Sequence, residues 1–394
     1  MSQNNAVSAI DVRRAESKRF VRSRDDEVRP ESLAPASATA PVGSQADPSV
    51  DLMGRLAPAL ESIDIQASEP AQIGKALALL IEQGLDRLPR PAHGNTLERW
   101  QALSRVAERD LALVKLYEGH TDALAILAEL GAQTPAMTRW GVFAAEPPDF
   151  RATIRYLDER HRMPGAPVEL NGAKAWCSGA QSLTHALLTC CDAEGVHRLV
   201  AIELDQPGVS LSNSNWHAVG MAATASVDLI LNQAKGSLVG EANAYLSRSG
   251  FWHGGAGIAA CWYGGALPLA KAVARATRRM PEPHRAAHLG AIDVALRAAA
   301  SALREAAQWI DAHPTDDAMS MALRVRLLAE ASVTEVINHA GRSLGAGPLC
   351  RDPAIARCMA DLPVFLRQSH AERDLAVLGE WHARESDDDT QWCL

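Results

Sequence analysis

The sequence predicts an α+β protein with an N-terminal helical domain, a central antiparallel β domain and a C-terminal four-helix bundle. Three observations carry that order. Apolar residues repeat at helical spacing up to about Thr138. Short alternating stretches replace them from Trp140. Two long stripes at three-four spacing follow Gly250. The expected boundaries are a flexible leader over 1–50, helices over 51–139, the β domain over 140–245, the bundle over 246–385 and a tail over 386–394.

The leader is polar and ends in a stretch rich in Pro, Ala, Ser and Gly, from Pro30 to Ser44. Such a composition stays flexible because it buries too little apolar surface to offset ordering. Ala76, Leu77, Leu80 and Ile81 predict the first clear helix, with Pro89 and Pro91 as its stop. Asn95 with Glu98 predicts the cap of the next. Leu111, Val114, Leu116, Ile126 and Leu127 supply further apolar faces, and Gly131 predicts an end.

In the β region, Ala186–Cys190, Leu199–Leu204 and Ser226–Leu231 read as strands. Asn171-Gly172 predicts a hairpin turn, and Pro207-Gly208 another turn. Beyond Gly250, Leu289, Ile292, Leu296, Ala299, Leu303, Ala306 and Ile310 form one stripe. Leu323, Leu327, Ala331, Thr334 and Ile337 form a second, separated from the first by His313-Pro314. Helices near 254–278 and 353–380 complete the expected bundle.

Composition narrows the function classes. The 394 residues are 47% hydrophobic and 22% charged, which excludes disordered, collagenous and disulfide-stapled chains. A net charge of −8 disfavours a nucleic-acid partner. No uninterrupted apolar run predicts a membrane span. Arg13, Arg14, Lys18 and Arg19 are followed by no apolar segment of the secretory kind, so the expected compartment is cytosolic. The seven cysteines are scattered and lack any C-x-x-C, which predicts neither a disulfide framework nor a zinc site. Phosphate loops, G-x-S-x-G elbows and H-E-x-x-H motifs are missing.

One segment is more specific. Leu170-Asn-Gly-Ala-Lys-Ala-Trp-Cys-Ser-Gly-Ala resembles the LNGxKxWITNA segment of the acyl-CoA dehydrogenase family. The resemblance implies that Trp176 covers one side of a flavin ring and that Ser178 hydrogen-bonds its reactive edge. Val142–Asp149 is similar in part to the family's TEPxAGSD segment, keeping Glu146-Pro147. His217–Leu229 looks like the segment that ends the family's β domain, with Thr224 and Ser226 alternating. Ala274–His288 is similar in place to the family's RxxFGxPIxxFQ segment, although Met280-Pro281 replaces Phe-Gly. That implies Arg278 or Arg279, with His288, at the pyrophosphate and adenosine end of FAD across a subunit interface. Glu335–Gly345 resembles the helix end that borders the neighbouring subunit's FAD, with Gly341 in the Gly-Gly place.

The resemblance spans roughly residues 55–380. It implies FAD, an acyl-CoA or acyl-carrier substrate, an electron-transfer flavoprotein as acceptor, and a homodimer or homotetramer.

The family's base is a glutamate from one of two places, and neither fits here. In the last loop the aligned point falls at Ser369 or His370, with Glu372 just beyond. At the opening of the bundle it falls at Gly254, beside His253, and Gly255 stands where an arginine is usual. His370, Glu372 and His253 are therefore the candidate proton-transfer residues. His370 and Glu372 also suit a plain helix cap, and the glycines around His253 also suit tight packing. Three functions stay open: α,β-dehydrogenation of an acyl thioester, a flavin monooxygenase of the same fold with a histidine in its last loop, and an inactive paralogue serving as a partner subunit.

Overall fold

Four helices open the described chain: α1 (Leu52–Ser62), α2 (Pro70–Glu82), α3 (Thr96–Arg109) and α4 (Leu111–Glu129). The computed structural model describes residues 52–64, 69–158, 160, 162–213 and 215–385. The expected leader and tail lie outside these described residues.

In α2 the predicted face, Ala76, Leu77, Leu80 and Ile81, is buried. The helix ends at Glu82, well before Pro89, where Gly84 takes a left-handed φ of +66° and turns the chain. Asn95 occupies the cap position of α3 but makes no side-chain cap bond. Asp311 caps it instead. Its carboxylate accepts the Gly94 N–H at 3.0 Å, the Thr96 N–H at 2.9 Å and the Thr96 hydroxyl at 2.6 Å. α4 is capped locally, with the Leu113 N–H donating to Asp110 Oδ1 at 2.8 Å. Gly131, with φ +71°, follows its end as the sequence predicts.

Seven strands follow: β1 (Trp140–Phe143), β2 (Ala152–Tyr156), β3 (Pro167–Cys177), β4 (His185–Cys191), β5 (His197–Glu203), β6 (Val209–Ser212) and β7 (Val227–Val239). Their order is β1-β4-β2-β3-β7-β5, and a β4–β5 pairing closes the ring into a barrel; β6 adds to β7. The antiparallel expectation needs correction, because β1 runs parallel to β4 and β2 meets β4 in parallel. The β2–β3 hairpin intervenes between β1 and β4, so the chain has already returned before β4 begins.

Asn171-Gly172 is also not a hairpin turn. β3 runs straight through it, pairing with β2 on one edge and β7 on the other. The β3–β7 register shifts between Leu170 and Asn171, and Gly172 has φ +109°. A Cβ there would overlap the Arg151 carbonyl oxygen. The permissive pair serves a bulge, not a reversal.

The C-terminal half holds α5 (Ala244–Ser247), α6 (Gly250–Gly255), α7 (Ile258–Arg279), α8 (Pro283–Ala312), α9 (Met319–Leu344), α10 (Ala346–Arg351), α11 (Pro353–Phe365) and α12 (Glu372–Glu385). The helix expected near 353–380 is thus two, split at Leu366–Ala371. On α8, Ile292, Ala299, Leu303, Ala306 and Ile310 are buried as predicted. On α9 the predicted stripe is displaced. Only Leu323 of that set is buried, and the inner face is Ala322, Val325, Ala329, Val333, Val336 and Ala340. Small residues face inward because α9 packs against both α7 and α8.

One hydrophobic cluster runs from α1–α4 through the barrel interior to α7, α8, α9 and α11. α3 packs directly on α7. Among the described residues, α8 is the one helix long and apolar enough to cross a membrane. Here it packs as a bundle helix against α7 and α9.

Candidate active site

A cleft of about 540 Å³ opens between the barrel, α4 and the end of α11. Trp176 and Ser178 from the end of β3 line it, together with His370 from the final loop. The register between β3 and β7 shifts between Lys174 and Cys177. Trp176 sits in that bulge with a left-handed φ of +59°, and the residue is 58% exposed. A large apolar side chain on strained backbone is expensive unless something covers it. Behind it, Ser178 Oγ lies 2.8 Å from Ser226 Oγ, which lies 2.9 Å from Thr224 Oγ1. Thr224 Oγ1 donates to the Met221 carbonyl at 2.7 Å. The hydroxyls therefore form a chain that ends at the cleft.

The loop before β7 is pinned to the bundle. Its Met221 N–H donates to Asp361 Oδ1 on α11 at 2.5 Å. Burial holds the Asp361 carboxyl above the usual aspartate range despite that bond. A Cβ at Gly220 would overlap the Ala360 carbonyl, so the loop and α11 meet backbone to backbone. Trp216 also lines the cleft, and its buried Nε1 has no hydrogen-bond partner among the described residues.

The two motif residues Glu146 and Lys174 meet below this wall. Lys174 is fully buried, donating to the Thr189 carbonyl at 3.0 Å, to Thr189 Oγ1 at 2.9 Å and to Glu146 Oε1 at 3.3 Å. Burial raises the Glu146 carboxyl, but Lys174 and Thr189 outweigh it and hold it below the usual glutamate range. The pair ties the loop after β1 to β3 and β4.

His370 is held by its surroundings. Arg326 on α9 donates to the Gly255 carbonyl at 3.0 Å and to the Gln368 carbonyl at 3.1 Å. His370 Nδ1 lies 3.4 Å from Asp374 Oδ1, and the His370 N–H donates to Asp374 Oδ2 at 3.3 Å. Burial raises the Asp374 carboxyl, yet His370 and Arg326 bring it below its ordinary range.

The other expected residues stand apart. Glu372 is exposed and lines a separate groove between α8, α9 and α12. His253 is buried and does not line the cleft; burial lowers its pKa. Arg278 and Arg279 are exposed at the end of α7. His288 Nδ1 faces His339 Nδ1 at 2.9 Å, between α8 and α9. Gly341, near the end of α9, approaches Met359. None of these four lines the cleft within one chain.

Sequence reading missed the α4 wall. Lys115, Glu118 and Asp122 line the cleft on one helical face, at i, i+3 and i+7. Lys115 Nζ binds Glu118 Oε2 at 3.0 Å, and Arg99 Nη2 lies 3.5 Å from Asp122 Oδ1. Burial and the neighbouring Glu118 push the Asp122 carboxyl above the usual aspartate range, against Arg99 and Arg248. The available signal was a polar row in an otherwise apolar helix.

No protein-family model matches the chain, and no curated protein matches it. Solved structures do. TdsC, a dibenzothiophene monooxygenase from Paenibacillus sp. A11-2 solved with FMN and indole, is 18% identical over 86% of this chain and 97% of its own, with a TM-score of 0.69. KijD3, solved with dTDP, is 17% identical over 85% of this chain and 97% of its own, with a TM-score of 0.72. The 3-HSA hydroxylase from Rhodococcus sp. RHA1 is 17% identical over 86% of this chain and 98% of its own, with a TM-score of 0.68. At this identity the likeness is one of fold. The chain has the acyl-CoA dehydrogenase-like fold that its Trp176 segment implied.

Proposed function

We propose that this protein is a flavin-dependent oxidoreductase that uses oxygen to modify a flat aromatic molecule. The observation that carries the reading is the cleft itself. Trp140, Phe143, Trp176, Trp216, Tyr245 and Phe365 give it aromatic walls, and the last loop offers His370 where the dehydrogenase pattern has a carboxylate. Exposed Trp176, the Ser178 hydroxyl and the unpartnered Trp216 Nε1 fit a planar ring with polar edges. Lys115, paired with Glu118, and Arg367, paired with Glu330 at 2.6 Å, line the same cleft, and an anionic phosphate would compete with those carboxylates for them.

A bound flavin supplies two-electron chemistry that no side chain here provides. Trp176 would cover one face of the ring and Ser178 would hydrogen-bond its edge. His370, braced by Asp374, would hold or move a proton beside the substrate. FMN needs only the cleft. FAD, which the resemblance implies, would reach Arg278, Arg279, His288 and Gly341 only through a second copy of the chain.

A homodimer or homotetramer is part of this reading. The groove between α8, α9 and α12, about 840 Å³, is lined by Val294, Leu327 and Leu375 and would be covered by such a copy.

A second reading, α,β-dehydrogenation of an acyl thioester with an electron-transfer flavoprotein as acceptor, is favoured by the Asp122 and Glu118 carboxylates in the cleft.

The test begins with fluorescence titration of the purified chain by FMN and by FAD. Reduced flavin, oxygen and indole then probe the first reading, and anaerobic bleaching by a panel of acyl-CoAs probes the second. Oxygen-dependent indole oxidation supports the proposal. Bleaching moves the assignment to dehydrogenation, and no binding of either flavin leaves a non-catalytic partner subunit.

A further inference from the structure

We infer that Asp122 takes the hydroxyl or ring N–H proton of the aromatic substrate, as a second proton-transfer residue of the cleft in addition to His370. This rests on the oxygen-using reading above. The carboxyl that the C-terminal half does not deliver comes from the opposite side, on α4.

Three observations converge on that residue. Glu372, the carboxylate just beyond the final loop, points into a different groove. At the opening of the bundle the chain has Gly254, and a Cβ built there would lie 3.1 Å from Asp122 Oδ1. Asp122 therefore lies beside that position on α6. Third, Asp122 is oriented from behind. Arg99 lies 3.5 Å from its Oδ1 and is itself anchored on the Pro89 carbonyl at 3.3 Å. An arginine that is almost wholly buried fixes a carboxylate better than a surface lysine would.

The charged groups around Asp122 are few. Glu118 and Lys115 share its helix face, Arg99 approaches from α3, and Arg248 from the segment after α5 is already bound to Glu129 at 2.7 Å. Burial and Glu118 resist ionisation of Asp122, and the arginines favour it. A carboxylate balanced in this way is a stronger base than one in water.

In the step itself, the substrate O–H or N–H bond breaks and its electron pair stays on the substrate. An O–H bond forms on Asp122, and nothing is oxidised or reduced. The proton then leaves to solvent at the cleft mouth, since the Asp122 side chain is about one-fifth exposed.

Infrared difference spectra of the full chain, titrated without flavin, read carboxyl protonation directly. The expected result is a carboxyl that stays protonated above the ordinary aspartate range. It should vanish in Asp122→Asn and move to lower pH in Glu118→Gln, where a like charge has been removed. With FMN, reductant, oxygen and indole, Asp122→Asn should lower kcat by about 10²- to 10⁴-fold while FMN affinity is unchanged.

An Asp122 that titrates in the ordinary range overturns the inference, as does an Asp122→Asn variant with wild-type kcat. If the wild type binds FMN but leaves indole untouched, the infrared titration decides alone. Failure of both FMN and FAD to bind instead removes the flavin reading, and the substrate step with it.

Discussion

In the proposed function, Trp176 carries the contact with the flavin ring. Its backbone is left-handed, its indole is largely exposed, and a register shift in β3 produces both. An exposed indole on such a backbone supports the proposed ligand face. Trp176→Ala should weaken flavin binding by about ten-fold, roughly 1.4 kcal/mol, with the fold retained. Unchanged affinity by fluorescence titration would remove it from the ring's contact surface.

Glu146 and Lys174 give a second residue-scale expectation, on pH. The folded Glu146 carboxyl lies below its unfolded range, so its contribution to stability is present above the unfolded pKa. It is lost as pH falls through the folded value. Urea midpoints of wild type should therefore drop on acidification by more than those of Glu146→Gln. Parallel pH profiles for the two would contradict the pairing. In the sequence, both residues were visible as parts of separate motifs. Their meeting was not, because the loop after β1 and the middle of β3 come together only in the barrel.

Among the elements, α3 shows most plainly what local reading leaves out. Asn95 has the right identity and position for a cap, yet Asp311, 215 residues beyond Thr96, makes the bonds. A cap supplied by α8 also fastens the N-terminal helices to the bundle. Asp311→Ala should cost about 1–2 kcal/mol in chemical denaturation. A loss near zero would show that solvent or Asn95 takes over. The α9 stripe has a related lesson. Period alone marked Leu327, Ala331 and Thr334 as core, whereas smaller residues face inward where α7 and α8 both press close. The misplaced stripe borders the outer groove. Asn171-Gly172 has the chemistry of a turn, and its pairing on both edges makes it a bulge.

For the whole molecule, the exposed apolar groove between α8, α9 and α12 sets the expectation of self-association. Light scattering during size-exclusion chromatography should give a dimer or tetramer, and Val294→Glu with Leu375→Glu should return it toward monomer. A monomeric wild type would leave Arg278, Arg279, His288 and Gly341 without a route to a neighbour's cofactor. The larger core joins α1–α4, the barrel and the bundle into one packed body, and a second cluster joins α4 to the barrel.

By itself the sequence determined the order of helices, strands and helices, because hydrophobic period and turn chemistry are local properties. It also pointed to a strand end that lines the cleft, because Trp176 and Ser178 sit in a recognisable run of residues. Only the tertiary structure decided the parallel β1–β4 pairing, the remote cap on α3 and the membership of the cleft. It separated His370 from Glu372 and His253, and it brought in Asp122, since distance across a fold is not encoded in the spacing of residues along the chain.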